Sequence, residues 1–161
     1  MPTHYPAPTE QDVEAVLGGL SSAPTHVARQ QSAEPEREPT GVMVEYVGAD
    51  DALAAIAFCD HDVVNFMGGA IAAVESATIQ EVNSGSKLHD AAVESFREVA
   101  NGLAASLNGE YTPTLRLAEV HQLPGELSEE IKQLWRKPGG KRGYRVTVDE
   151  YGAGTVILYL S

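Results

Sequence analysis

At 161 residues, 43% of them hydrophobic, the chain is long enough for one domain with a sizeable core and too short for two comfortable ones. Its 23 acidic residues outweigh 11 basic ones, and a net charge of −12 repels a phosphate backbone, which argues against nucleic acid as a partner. A single cysteine, Cys59, rules out an internal disulfide; no apolar run approaches the roughly 20 residues of a membrane span, and the opening MPTHYPAPTEQ lacks the order of a signal peptide. The expectation is a soluble, cytoplasmic protein with no membrane partner.

The proline-rich opening is expected to be loose, followed by a short helix around 10-EQDVEAVLGGL-20, where Val13, Val16, Leu17 and Leu20 recur at helical spacing. A short strand is expected near 25-THVARQ-30. The stretch 32-SAEPEREPTG-41, with two prolines, four charges and no large apolar side chain, reads as a linker or exposed loop. Residues 1–40 are therefore expected to form a loosely ordered N-terminal segment, and 41–161 the domain proper.

From Gly41 the alternating GVMVEYVG and the apolar run 53-LAAIAFC-59, joined by the turn-like 48-GADD-51, predict a β-hairpin. Asp60 is placed to cap a helix over 61-HDVVNFMGGAIAAV-74, in which Val63, Met67, Ala70, Ile71 and Val74 share a face. Gly68 and Gly69 each weaken that helix by about 1 kcal/mol relative to alanine, so a close neighbour is expected there. Polar 83-NSGSK-87 precedes a long amphipathic helix, 91-AAVESFREVANGLAASLNG-109, closed by 108-NGE-110. A strand over 113–120, a short helix over 127–135 and a hairpin over 143–161 complete the chain. Strands, two consecutive helices, then strands describe an α+β fold with an antiparallel sheet and two long helices packed on it.

The long helix carries an oddity. Ala92, Phe96, Val99, Leu103 and Leu107 form its apolar side, and Glu94, Glu98 and Asn101 a narrow polar stripe opposite. Asparagine is a poor residue for a helix interior because its amide competes for backbone hydrogen bonds. On spacing alone the stripe is a solvated face.

Glu98, two residues, Asn101, then twenty-two residues and Pro124 in 121-HQLPG-125 reproduce the spacing of a known signature. With the FREVANGLA context and the order of elements from Gly41 onward, the chain resembles the CheC/CheX/FliY chemotaxis phosphatases. It is most similar to CheX, because only one E-x-x-N site is found. One departure is Glu94, where the family has Asp or Ser. The resemblance implies hydrolysis of the aspartyl phosphate of a CheY-like response-regulator receiver domain. Asn101 would orient the attacking water and Glu98 would pair with the receiver's lysine, while Glu94 and Pro124 complete the signature. It also implies a homodimer, no cofactor or metal of the chain's own, and Mg²⁺ supplied by the receiver. The alternative within the same fold is a non-catalytic module that binds response regulators.

Other motifs are weaker. The cluster 59-CDHDV-63 crowds its potential ligands too closely for one ion, and capping by Asp60 is the preferred reading. The five histidines show no H-x-x-x-H pairing, and 138-PGGKRG-143 lacks the spacing of a phosphate loop. Six of the eleven basic residues, Lys132, Arg136, Lys137, Lys141, Arg142 and Arg145, gather before the last hairpin. They form a charged loop or an electrostatic guide for an acidic partner.

Overall fold

The computed structural model describes residues 7–30, 40–108, 114–136 and 141–160. In chain order they form α1 (Glu10–Gly18), β1 (Thr25–Gln30), β2 (Gly41–Val47), β3 (Leu53–Asp60), α2 (His61–Ile71), α3 (Ser76–Ser84), α4 (Asp90–Leu107), β4 (Arg116–Leu123), α5 (Glu129–Arg136), β5 (Lys141–Val148) and β6 (Gly152–Leu160). One six-stranded sheet runs β1-β5-β6-β3-β2-β4, with every neighbouring pair antiparallel. Among the described residues no helix is long and apolar enough to cross a membrane.

Side-chain alternation assigns the two faces of the sheet. Val42, Val44 and Tyr46 of β2, Ala55, Ala57 and Cys59 of β3, and Val156, Leu158 and Leu160 of β6 join the main core beneath α1, α2, α3 and α4. The intervening Met43, Ile56, Phe58, Ile157 and Tyr159 point the other way, into a second cluster closed by Ile131 and Leu134 of α5. Burial on both faces explains why 53–59 reads as a nearly continuous apolar run.

Both expected hairpins form: Gly41 to Val47 pairs with Leu53 to Asp60, and Lys141 to Val148 with Gly152 to Leu160. The helix expected over 61–74 is shorter than its pattern. It ends at Ile71, and after Ala73 in the left-handed region (φ 57°) the separate helix α3 occupies residues that sequence patterning did not mark as helical. The expected contact at Gly68 and Gly69 exists. A Cβ on Gly68 would overlap the Ala92 carbonyl of α4, and one on Gly69 would come within 2.6 Å of Ile79.

The expectation of a loosely ordered segment before residue 41 is corrected for residues 7–30; residues 1–6 and 31–39 lie outside the described residues. The short helix forms, with Val13 and Leu17 fully buried, and β1 is an edge strand of the main sheet, paired with β5 from Thr25↔Val148 to Gln30↔Gly143. Long-range polar contacts fix this region. The Tyr144 hydroxyl donates to the Pro8 carbonyl (2.5 Å), Arg142 pairs with Glu10 (3.1 Å) and the Val27 N–H donates to Glu14 (2.8 Å). The strand expected near 25–30 forms over those residues, whereas its place at the sheet edge is not visible locally because its partner β5 is far away in sequence.

Candidate functional site

The site is built on α4, whose eighteen residues divide cleanly by exposure. Ala92, Phe96, Val99, Ala100, Leu103, Ala104 and Leu107 are buried, while Glu94, Arg97, Glu98, Asn101 and Ala105 are exposed along one ridge. Residues three and four apart share a helix face, so Glu94, Glu98 and Asn101 stand side by side, as the sequence pattern requires. Among the described residues neither Glu98 nor Asn101 makes a side-chain hydrogen bond or ion pair, which leaves both groups to solvent or to a partner.

What lies beneath this ridge is held firmly. His89 caps the helix, its Nδ1 accepting from the Ala91 N–H (3.2 Å). The buried Tyr46 hydroxyl donates to the Ala100 carbonyl at 2.7 Å, one residue before Asn101. One residue after it, Gly102 admits Val16 and Leu20 of the α1 region so closely that a Cβ would lie 2.8 Å from Val16. Asn101 is thus an exposed amide on a stretch of backbone fixed from two directions.

Pro124 lies elsewhere. It is exposed, immediately after Leu123, and Leu123 pairs with Gly41 at the start of β2. Tyr46, which holds the Asn101 region, is five residues further along that strand, about 16 Å at a strand's rise per residue. Pro124 therefore closes β4 at the opposite end of β2 from the Tyr46 contact.

Sequence reading found one E-x-x-N pair and passed over a related one, Asp62-x-x-Asn65 in α2. The structure gives it a different use. Asn65 is fully buried; its Nδ2 donates to Asn83 Oδ1 (2.9 Å) and the Lys87 carbonyl (2.7 Å), and its Oδ1 accepts from the His89 N–H (2.9 Å). Asn83 in turn donates to Asp62 (2.7 Å). Every group of this pair is committed to joining α2, α3 and the start of α4.

In 59-CDHDV-63, Asp60 caps α2 as expected, accepting from the Val63 N–H (2.9 Å) and also from the Thr155 N–H (3.1 Å). Burial raises its carboxyl above the ordinary value, against the lowering effect of those two bonds. Cys59 is buried in the main core, and burial pushes its thiol up, which keeps it protonated and inert.

The basic cluster is partly spent on internal pairs: Lys132 with Glu129 and Arg142 with Glu10. Arg136 and Arg145 are exposed, and Lys137 lies outside the described residues. A broad depression of about 740 Å³ at the α2–α3 bend is lined by Ser22, Pro24, Glu75, Asp149, Tyr151 and their neighbours, and no residue of the α4 ridge lines it.

A third group of chemistry-bearing side chains was not foreseen. Glu45, Glu119 and His121 converge on the face opposite α4, with one donor atom from each within 4.8 Å of the others. His121 and Glu119 are two apart on one strand, a spacing visible in sequence, but the β2–β4 pairing that brings Glu45 to them is not local.

The architecture matches solved structures closely enough to place the fold. Thermotoga maritima FliY aligns over 93% of this chain and 82% of its own, with a TM-score of 0.59 and 11% identity. CheX from Borrelia burgdorferi, in a complex with CheY, BeF3 and Mg²⁺, aligns over 93% of both chains, with a TM-score of 0.53 and 10% identity. The chain has the fold of CheX and FliY. That CheX-like fold extends to FliM from H. pylori in its complex with FliG, with a TM-score of 0.60 over 94% of this chain and 86% of the other, at 5% identity. No family model matches the sequence, and no curated protein sequence matches it.

Proposed function

We propose that the chain is a phosphatase acting on the aspartyl phosphate of a CheY-like receiver domain. The observation that carries this reading is the pair Glu98 and Asn101, exposed side by side on a rigidly held helix and without a side-chain hydrogen bond or ion pair among the described residues. Glu98 forms an ion pair with the receiver's active-site lysine and fixes the docking register. Asn101 then enters the receiver's site, where its amide, both donor and acceptor, holds a water in line with the phosphorus–oxygen bond. As the water oxygen bonds to phosphorus, the bond to the aspartate carboxylate breaks, and inorganic phosphate and the free carboxylate are released. Mg²⁺ bound by the receiver neutralises charge on the equatorial oxygens, and this chain contributes no metal to the step. Glu94, one turn before Glu98, widens the contact, and Pro124 shapes the end of β4.

The fold's likeness to CheX captured with CheY, BeF3 and Mg²⁺ supports a receiver as the partner. The proposed protein is cytoplasmic and acts as a homodimer that leaves α4 open on each copy. A second reading is a binding module without turnover. It is favoured by TM-scores of 0.60 and 0.61 to FliM in its complexes with FliG and with SpeE, against 0.53 for the CheX complex.

Phosphate release from phosphorylated receivers with Mg²⁺ separates the two. Under the phosphatase reading, Asn101→Ala lowers the rate by about 10²–10³, the range for removing one well-placed hydrogen-bonding group, while receiver binding persists. Glu98→Ala weakens binding as well. Saturable binding with no acceleration of phosphate loss by the native chain would establish the module instead.

A further inference from the structure

Glu45 and Glu119 are directly paired residues on neighbouring antiparallel strands, with no register offset between them. Like charges in that relation destabilise a sheet unless a cation sits between them. His121 lies alongside, its Nε2 3.2 Å from Glu45 Oε2 and 3.8 Å from Glu119 Oε2. Around an ion held at about 2.0–2.2 Å in a tetrahedral arrangement, donor atoms stand about 3.3–3.6 Å apart, and the observed separations bracket that range.

The surroundings favour a defined site over a chance surface grouping. Glu45 and His121 are each more than three-quarters buried in their side chains, whereas Glu119 is open to solvent. Met43, which pairs with His121, and Ile56, which pairs with Glu45, are fully buried and give the group an apolar floor. The β2–β4 register shifts immediately beyond Glu45, where β4 carries an extra residue. Such bulges turn neighbouring side chains towards a common point. All three donors sit on strands, which hold ligand geometry better than loops do.

We propose that Glu45, Glu119 and His121 bind one divalent transition-metal ion of the zinc class, with water in the remaining position. One imidazole nitrogen with two carboxylates suits Zn²⁺ better than Ca²⁺ or Mg²⁺, which favour all-oxygen shells. The ion ties the edge strand β4 to β2 on the face opposite Asn101, so the site is independent of the reaction proposed for α4. The competing account of the same geometry is a protonated His121 paired with the two carboxylates, with no affinity for metal.

The full chain, stripped with chelator, is titrated with Zn²⁺ by calorimetry, and Co²⁺ is used in parallel for its visible absorption. One ion per chain, an intense Co²⁺ band and a rise in Tm with Zn²⁺ are expected. His121→Ala and the solvent-exposed Glu119→Gln should each weaken binding by at least the roughly 10–100-fold that loss of an outer hydrogen-bond partner costs a metal site. Circular dichroism of Glu119→Gln, the variant least able to disturb packing, guards against misreading unfolding as lost affinity. Absence of stoichiometric Zn²⁺ binding, or binding unchanged in both variants, overturns the proposal.

Discussion

Asn65 on α2 and Asn101 on α4 each follow an acidic residue by three positions, and the two helices lie against one another where Gly68 meets Ala92. Around Asn65 every polar group is answered from within the chain, and the side chain is fully buried. Asn101 is answered by nothing among the described residues, although the backbone beneath it is fixed by Tyr46 and Gly102. The same residue type at the same spacing therefore serves stability in one helix and availability in the other. Its surroundings decide which.

The sharpest break in that comparison comes from Asn65→Ala. It strands the His89 N–H, the Lys87 carbonyl and Asn83 Oδ1 without their partner in a partly buried site, and it is expected to cost about 2–4 kcal/mol, read as a fall in urea midpoint. Next is Gly68→Ala, whose Cβ overlaps the Ala92 carbonyl; a cost of about 1–3 kcal/mol in thermal unfolding is expected, because two packed backbones must separate. Tyr46→Phe removes only the hydroxyl bond to Ala100 and should cost about 1 kcal/mol, with faster amide exchange in the second half of α4 as its signature.

Asp60 offers a pH test of the junction between α2 and β6. Burial raises its carboxyl above the ordinary value of 3.8, so the folded state holds the proton more tightly than the unfolded one. Unfolding releases that proton in the window just above 3.8, and stability falls as pH rises through it. Asp60→Asn should remove this part of the slope while keeping a side-chain cap, at a cost below about 1 kcal/mol. The smallest effect belongs to Asn101→Ala, which should leave Tm within what about 0.5 kcal/mol produces, since the exposed amide makes no hydrogen bond among the described residues and alanine is the better helix former. A loss as large as that of Asn65→Ala would erase the distinction between the two helices.

Much of this architecture is legible residue by residue. The alternation of GVMVEYV, the cap at Asp60, the unusual pair Gly68 and Gly69, and the apolar side of α4 each express a local rule, and each appears in the fold. Legibility fails where the cause is not local. A strand over 25–30 is legible but its place beside β5 is not, the Glu45, Glu119 and His121 group depends on β4 lying beside β2, and Asn65 is enclosed by α3 and the segment leading into α4. The α4 ridge is visible in sequence as a stripe. That Glu98 and Asn101 lack side-chain partners among the described residues, the property on which their proposed use rests, emerges only from the three-dimensional arrangement.

The position of β1 at the sheet's edge sets a schedule for folding. Thr25 must wait for Val148, and Gln30 for Gly143, before either has a ladder to join. At the usual 5–20 residues per second of synthesis, the first strand exists for on the order of ten seconds before its partner is made. Throughout that interval Val13 and Leu17, which end up fully buried, have no finished core to enter. Closure of this molecule is thus a late event that joins its two ends, and the long loop it must span makes β1 docking a natural slow step.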